Sequence, residues 1–290
     1  MAGVYRNFTP EQLQAQYSAR AAVPEHPQIF DRWQESSARY RAQARCTLDL
    51  AYGSSPREKL DLFLPERDNA PILLFIHGGY WQAMDKGFFS FLASPLVDHG
   101  VAVAIMNYDL CPDVTLDTIA RQARGAVAWL WAEGKGHGLD RDRLHVAGHS
   151  AGGQLTAMMM ATRWNELPGD IPADVITSGL SISGLFELEP LIHTAINEPL
   201  GLDLESARRN SPLLMEPATH APLVLAVGGS ESEEFHRQSR ALSQAWGARG
   251  VPTSMLEVPG LNHFTMVEQL AEPGSLLLDR AMMLLTRQPN

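Results

Sequence analysis

The chain predicts an α/β protein: a doubly wound, mostly parallel sheet covered by helices on both faces. Three observations lead there. Residues 72–76, 101–106, 144–147, 175–182 and 223–227 are nearly continuous apolar runs, the composition of strands buried on both faces. Segments whose apolar residues recur at helical spacing separate them. Finally, residues 143–153, Arg-Leu-His-Val-Ala-Gly-His-Ser-Ala-Gly-Gly, pass from an apolar strand through a glycine-flanked serine into a helix-forming run. Strand and helix alternating in this order imply a layered α/β sandwich.

Taken in order, residues 10–42 carry Leu13, Tyr17, Phe30, Trp33 and Tyr40 at helical spacing among many polar residues, broken at Pro24 and Pro27. They predict two amphipathic helices with too little apolar surface to stand alone, lying across another part of the molecule as an N-terminal extension over residues 1–44. Residues 46–51 and 60–64 alternate apolar and polar side chains around Tyr52-Gly53-Ser54-Ser55-Pro56. That pattern predicts a half-exposed antiparallel pair joined by a turn. Helices are expected at 88–98, 116–133, 154–164 and 233–248; the second has the clearest stripe, through Leu116, Ile119, Ala123, Val127 and Leu130. Residues 253–258 supply a last strand and 276–286 a closing helix. Residues 185–221 interrupt the alternation with prolines and weak periodicity. They are expected to form a lid inserted over the carboxyl ends of the strands, where open α/β sheets bind ligands. No repeat or linker divides the 290 residues, which read as one domain.

A hydrophobic fraction of 45% with 19% charged residues is that of a globular chain. The net charge of −10, with no basic run longer than Arg208-Arg209, argues against nucleic acid and anionic membranes as partners. Cys46 and Cys111 lack metal-ligand spacing and read as free thiols of a reducing compartment. No His/Asp cluster has ligand spacing, so neither metal nor cofactor is expected. The first residues lack a signal-peptide core and no window approaches a membrane span, so a cytoplasmic location is expected.

The Gly148-His149-Ser150-Ala151-Gly152 stretch carries the chemistry. Glycines on either side let strand and helix meet in a tight bend that exposes the Ser150 hydroxyl. The Ala151 N–H at the helix N-terminus is aimed where negative charge would develop on an attacked carbonyl. After the first parallel strand comes His77-Gly78-Gly79-Tyr80-Trp81, whose glycines can turn further N–H groups into the same cavity. His77 is expected to fix that loop, and His149 to pack beside or line the pocket. A serine needs a base, and the base an orienting acid. Of the histidines downstream of Ser150, only His263 follows the last strand. Three carboxylates, Glu231, Glu233 and Glu234, crowd the end of the strand at 223–227. With Ser232 as N-cap, Glu233 and Glu234 would fall in the first turn of the next helix, leaving Glu231 in the loop.

These segments, with Glu234-Phe235-His236-Arg237-Gln238-Ser239, Gly260-x-x-His263-Phe264, Tyr52-Gly53 and Ser211-Pro212, make the chain resemble the kynurenine formamidases (arylformamidases) of the α/β-hydrolase superfamily. The resemblance spans most of the sequence. It implies an α/β-hydrolase fold and Ser150, Glu231 and His263 as nucleophile, acid and base. Glu231 stands where the family usually carries Asp, and Glu233 is the next candidate. The oxyanion would be held by N–H groups around Gly78, Gly79, Tyr80 and Ala151, with Tyr80, Trp81 and His149 shaping the substrate pocket. The implied activity is metal-independent hydrolysis of small-acyl amides or esters, N-formylkynurenine being the single substrate named. A small, aromatic acyl compound is then the expected partner, and a homodimer is compatible. Two other readings stand beside it: a short-chain carboxylesterase of the hormone-sensitive-lipase type, and a hydrolase-fold binding protein without catalysis. The serine, histidine and acid in the right order argue against the last.

Overall fold

The computed structural model describes residues 4–286. Its N-terminal segment forms α1 (Pro10–Tyr17), α2 (Ala19–Ala22) and α3 (His26–Gln43), three helices where two were expected, because the chain also breaks at Ser18. Pro10 opens α1 behind a capping box in which Thr9 and Gln12 satisfy each other's main-chain N–H groups. Next come β1 (Cys46–Ala51), β2 (Lys59–Phe63), β3 (Ala70–Ile76), α4 (Ala93–Asp98), β4 (Ala102–Met106) and α5 (Leu116–Glu133). They are followed by β5 (Leu139–His149), α6 (Ala151–Met160), β6 (Ile176–Ile182), α7 (Asn197–Leu200) and α8 (Leu204–Arg209). The chain closes with β7 (Leu223–Gly228), α9 (Glu233–Gly247), β8 (Thr253–Val258), α10 (His263–Glu268) and α11 (Leu276–Leu285).

The strands make one eight-stranded sheet in the order β1-β2-β4-β3-β5-β6-β7-β8. β1 pairs antiparallel with β2, and β2 with β4; every other pairing is parallel. Period two explains why the central strands lack polar residues. In β3, Ile72, Leu74 and Ile76 enter the core on one face while Leu73 and Phe75 enter the core on the other. The first face is covered by α5, α6 and α9, the second by α3, α4, α10 and α11. The helix expected over 88–98 is instead two 3₁₀ turns followed by the short α4. The expected strand at 144–147 begins five residues earlier, at Leu139.

Residues 185–221 leave the carboxyl end of β6 as two 3₁₀ turns with α7 and α8 between them. Leu185, Phe186, Leu188 and Leu191 pack into the first core, and the Ser211 hydroxyl accepts from Leu188 N–H at 2.8 Å. This insertion is anchored along its length. The N-terminal helices lie across the same end of the sheet. Tyr17 donates its hydroxyl to Glu234 at 2.7 Å and accepts from Gln238 at 2.9 Å, both on α9. No helix among the described residues is long and apolar enough to cross a membrane.

Candidate active site

At the end of β5 the chain turns into α6 through Ser150, whose φ of 57° and ψ of −117° lie in the left-handed half of backbone space. Such a conformation costs a non-glycine residue on the order of 1–3 kcal/mol and persists because the surroundings enforce it. The enforcement is visible at the flanking glycines. A Cβ on Gly148 would stand 2.1 Å from the Gly152 carbonyl oxygen, and one on Gly152 would stand 1.9 Å from that of Ile76. Only glycine permits the helix to start this close to the sheet. Ala151 occupies the first position of α6, so its N–H has no acceptor within the helix.

The loop after β3 approaches from the other side. Gly79, Tyr80 and Trp81 all have positive φ, at 110°, 50° and 57°. Gly78 packs onto the serine turn, where an added Cβ would meet the His149 carbonyl oxygen at 2.9 Å. Among the described residues, the N–H groups of Gly78, Gly79, Tyr80 and Ala151 donate to no protein acceptor, which leaves four free donors around the serine turn. His77 ties the loop down: Nδ1 lies 2.7 Å from the Gly78 carbonyl oxygen and Nε2 3.0 Å from Asn107 Oδ1. Complete burial pushes the His77 imidazole down to about 4, against the opposing pull of those two acceptors.

Residues 229–232 and 259–262 form adjoining turns at the ends of β7 and β8. Gly228 allows the contact, since a Cβ there would stand 2.4 Å from the Leu261 carbonyl oxygen, which accepts from Ser230 N–H at 2.9 Å. This places Glu231 against His263, with 2.6 Å between Oε2 and Nδ1. The carboxylate is fully enclosed: Oε1 accepts from Gly228 N–H at 2.8 Å and from the Ser183 hydroxyl at 2.5 Å. The rival acids go elsewhere. Glu234 pairs with Arg237 at 2.7 Å, and Glu233 is exposed. Ser232 does precede α9, but its hydroxyl donates to the Gln16 carbonyl at 2.5 Å instead of capping the helix. His263 opens α10, a helix not anticipated; Asn262 caps it by accepting from Phe264 and Thr265 N–H groups.

Ser150, His263, His149, Gly79 and Tyr80 line one cavity of about 510 Å³, within the range of small-molecule sites. Burial, and then the neighbouring His263 ring, hold the His149 imidazole well below the ordinary range. Its Nε2 lies 2.8 Å from the His263 carbonyl oxygen, which can only accept, so the ring nitrogen donates. Trp81 requires a correction. It does not reach the cavity; the indole is fully buried in the core, with Nε1–H donating to Gln154 at 3.3 Å. The two rings meet edge to face at 6.2 Å, with Tyr80 on the cavity wall and Trp81 in the core. The roof is also redistributed. From residues 185–221 only Ile196 lines the cavity, whereas the N-terminal segment contributes Tyr17 through Ala21 and Phe30. Sequence reasoning missed these residues and Ser183; the Ser183-Gly184 pair closing β6 was the one local signal for the latter.

A strained serine at a strand-to-helix turn, on this sheet order, defines a serine hydrolase of the α/β-hydrolase fold. Comparison with known proteins narrows the class. The BD-FAE family model matches residues 60–179. The kynurenine formamidase of Salmo salar is 32% identical over 275 residues, covering 92% of this chain and 90% of the relative. That of Danio rerio is 31% identical, covering 93% and 91%. The chain belongs to the kynurenine formamidase family. Among solved structures, a Silicibacter sp. tm1040 protein provisionally assigned as a thioesterase superposes with a TM-score of 0.82 at 34% identity, covering 92% of this chain and 98% of that one. Esterase B of Lactobacillus rhamnosis shares the fold at 22% identity, with a TM-score of 0.69 and coverage of 91% and 94%.

Proposed function

We propose that the chain hydrolyses N-formylated aromatic amines, N-formylkynurenine foremost, through a formyl-enzyme on Ser150, with His263 as base and Glu231 as the orienting acid. The reading rests on one observation above the others: the enclosed Glu231 carboxylate lies 2.6 Å from Nδ1 of a histidine that shares its cavity with a strained serine. Glu231 accepts the Nδ1–H and so leaves Nε2 free to take the Ser150 proton as Oγ bonds to the formyl carbon. The N–H groups of Gly79, Tyr80 and Ala151 hold the resulting oxyanion; each is worth on the order of 2.7–4 kcal/mol of barrier. The C–N bond then breaks as His263 returns its proton to the leaving nitrogen. Water repeats the sequence, adding to the formyl carbon with His263 as base, and formate leaves as Ser150 recovers its proton.

Tyr17, Tyr80 and Ile196 line the cavity with Ser150, and on this reading their bulk leaves room for a short acyl group only, so formyl and acetyl groups should be cleaved faster than long acyl chains. A panel of formanilide and nitrophenyl esters of graded length, assayed before and after exhaustive chelation, tests this. The expected outcome is a maximum at one or two carbons, with activity surviving chelation. A preference for eight carbons or more would reassign the chain to the carboxylesterase reading. Loss on chelation with recovery on added zinc or manganese would overturn the serine mechanism.

A further inference from the structure

We propose that Arg20 is a specificity-determining residue: its guanidinium binds a carboxylate on the leaving half of the substrate. The proposal rests on the formamidase reading and extends it to the part of the substrate that is not attacked. Arg20 is the only Arg, Lys, Asp or Glu among the described residues that line the cavity containing Ser150 and His263. A carboxylate entering that cavity meets one full positive charge on its walls, with Glu231 set back behind His263.

Arg32, Arg208, Arg209 and Arg237 each find a carboxylate on the protein, at 2.6–3.3 Å. Arg20 forms no ion pair among the described residues. Arg6, Arg39 and Arg67 also form none, so what sets the exposed Arg20 apart is its place on the cavity wall. Its guanidinium lies over Phe30, with Cζ 5.7 Å from the ring centroid. Phe30 meets Phe264 edge to face at 5.0 Å, and Phe264 follows His263 in the chain. An aromatic wall thus runs from the reacting histidine to the cation at the mouth. An aromatic amine packed on that wall, with its acylated nitrogen at Ser150, extends its side arm toward Arg20. A planar, always charged guanidinium suits bidentate capture of a carboxylate on that arm.

The test compares N-formylkynurenine with 2-formamidoacetophenone, which keeps the ring and the formamide but lacks the charged arm. The readout is the ratio of kcat/KM for the two substrates, in wild type, Arg20→Gln and Arg20→Lys, so intrinsic reactivity and general damage cancel. Arg20→Gln should lower the ratio on the order of ten- to a hundredfold, chiefly through KM, and Arg20→Lys should restore part of it. Added salt should erode the wild-type preference. A ratio unchanged in Arg20→Gln overturns the proposal. Should esters be cleaved but no formamide, the formamidase reading falls alone, and the same ratio is read from acetoxybenzoate against phenyl acetate. Should nothing be cleaved, it is read from calorimetric binding of kynurenine against 2-aminoacetophenone. In both cases a selective loss in Arg20→Gln supports the carboxylate site and an equal loss refutes it.

Discussion

The floor and the roof of the cavity are built on different principles. The floor consists of loops at the carboxyl ends of β3, β5, β7 and β8, and the pairing of those strands leaves its groups little freedom. Gly148, Gly152 and Gly228 sit where any Cβ would strike main-chain atoms. The roof is largely an appendage, the short α1 and α2 laid across the opening. A few long-range hydrogen bonds hold it: Tyr80 hydroxyl to Tyr17 carbonyl at 2.6 Å, Ser232 to Gln16, and Tyr17 to Glu234. Floor and roof divide the labour. On the proposed mechanism, the groups that hold bond-making geometry stand on the sheet, and those we propose to select the substrate stand on the N-terminal segment.

That division can be broken most decisively at the floor. Ser150→Ala should lower turnover on every substrate by a factor on the order of 10³ or more while the circular dichroism spectrum is kept. Near-normal turnover by the purified variant would mean that the elbow serine is not the nucleophile. The acid comes next. Glu231→Gln should lower kcat by about 10²–10⁴ with KM little changed, whereas Glu233→Gln, at an exposed site, should stay within about twofold. Parallel kinetics on the two variants decide it, and reversed results would move the acid out of the loop. The roof gives the smallest effect and sharpens the contrast. Tyr80→Phe removes one hydrogen bond, worth about 0.5–1.5 kcal/mol, so amide exchange in residues 10–22 should quicken roughly two- to tenfold. Exchange in α6 serves as the reference. Equal acceleration in both would show that floor and roof open together.

The same contrast decides what could be read from the sequence. Floor residues announce themselves because their constraints are local. Gly148 and Gly152 flank the serine, apolar runs mark strands buried on both faces, and Glu231 sits one residue before an N-cap. The charged start of β5, Asp140 to Arg143, escaped because a partly exposed strand end carries no apolar run. The helix expected over 88–98 is interrupted at Phe89, between the two 3₁₀ turns, and Pro95 falls in the first turn of α4, the part of a helix that tolerates proline. α10 had a readable capping box in Asn262 and Thr265, but six residues are too few to show periodicity. Roof residues were illegible for a different reason. Tyr17 looks like any core-facing residue of an amphipathic helix, and nothing within its own helix says that the surface beneath is a cavity. Trp81 shows the converse: adjacency to Tyr80 suggested a shared wall, and only the fold shows that the indole is buried in the core.

The attachment of α1 also governs when the cavity can exist. Tyr17 and its partner Glu234 are 217 positions apart in the chain. During synthesis the segment that roofs the site is made long before α9, the helix it rests on. It must wait, its apolar stripe unsatisfied, until nearly the whole sheet has been laid down. Contacts of such long range form late, because the loop they close must be ordered first. The roof therefore cannot be seated before Glu234 has been made, and His263 follows later still, so floor and roof are both completed only near the end of synthesis. An incomplete chain ending before α9 could carry the serine turn and still have no seat for the helices that decide what reaches it.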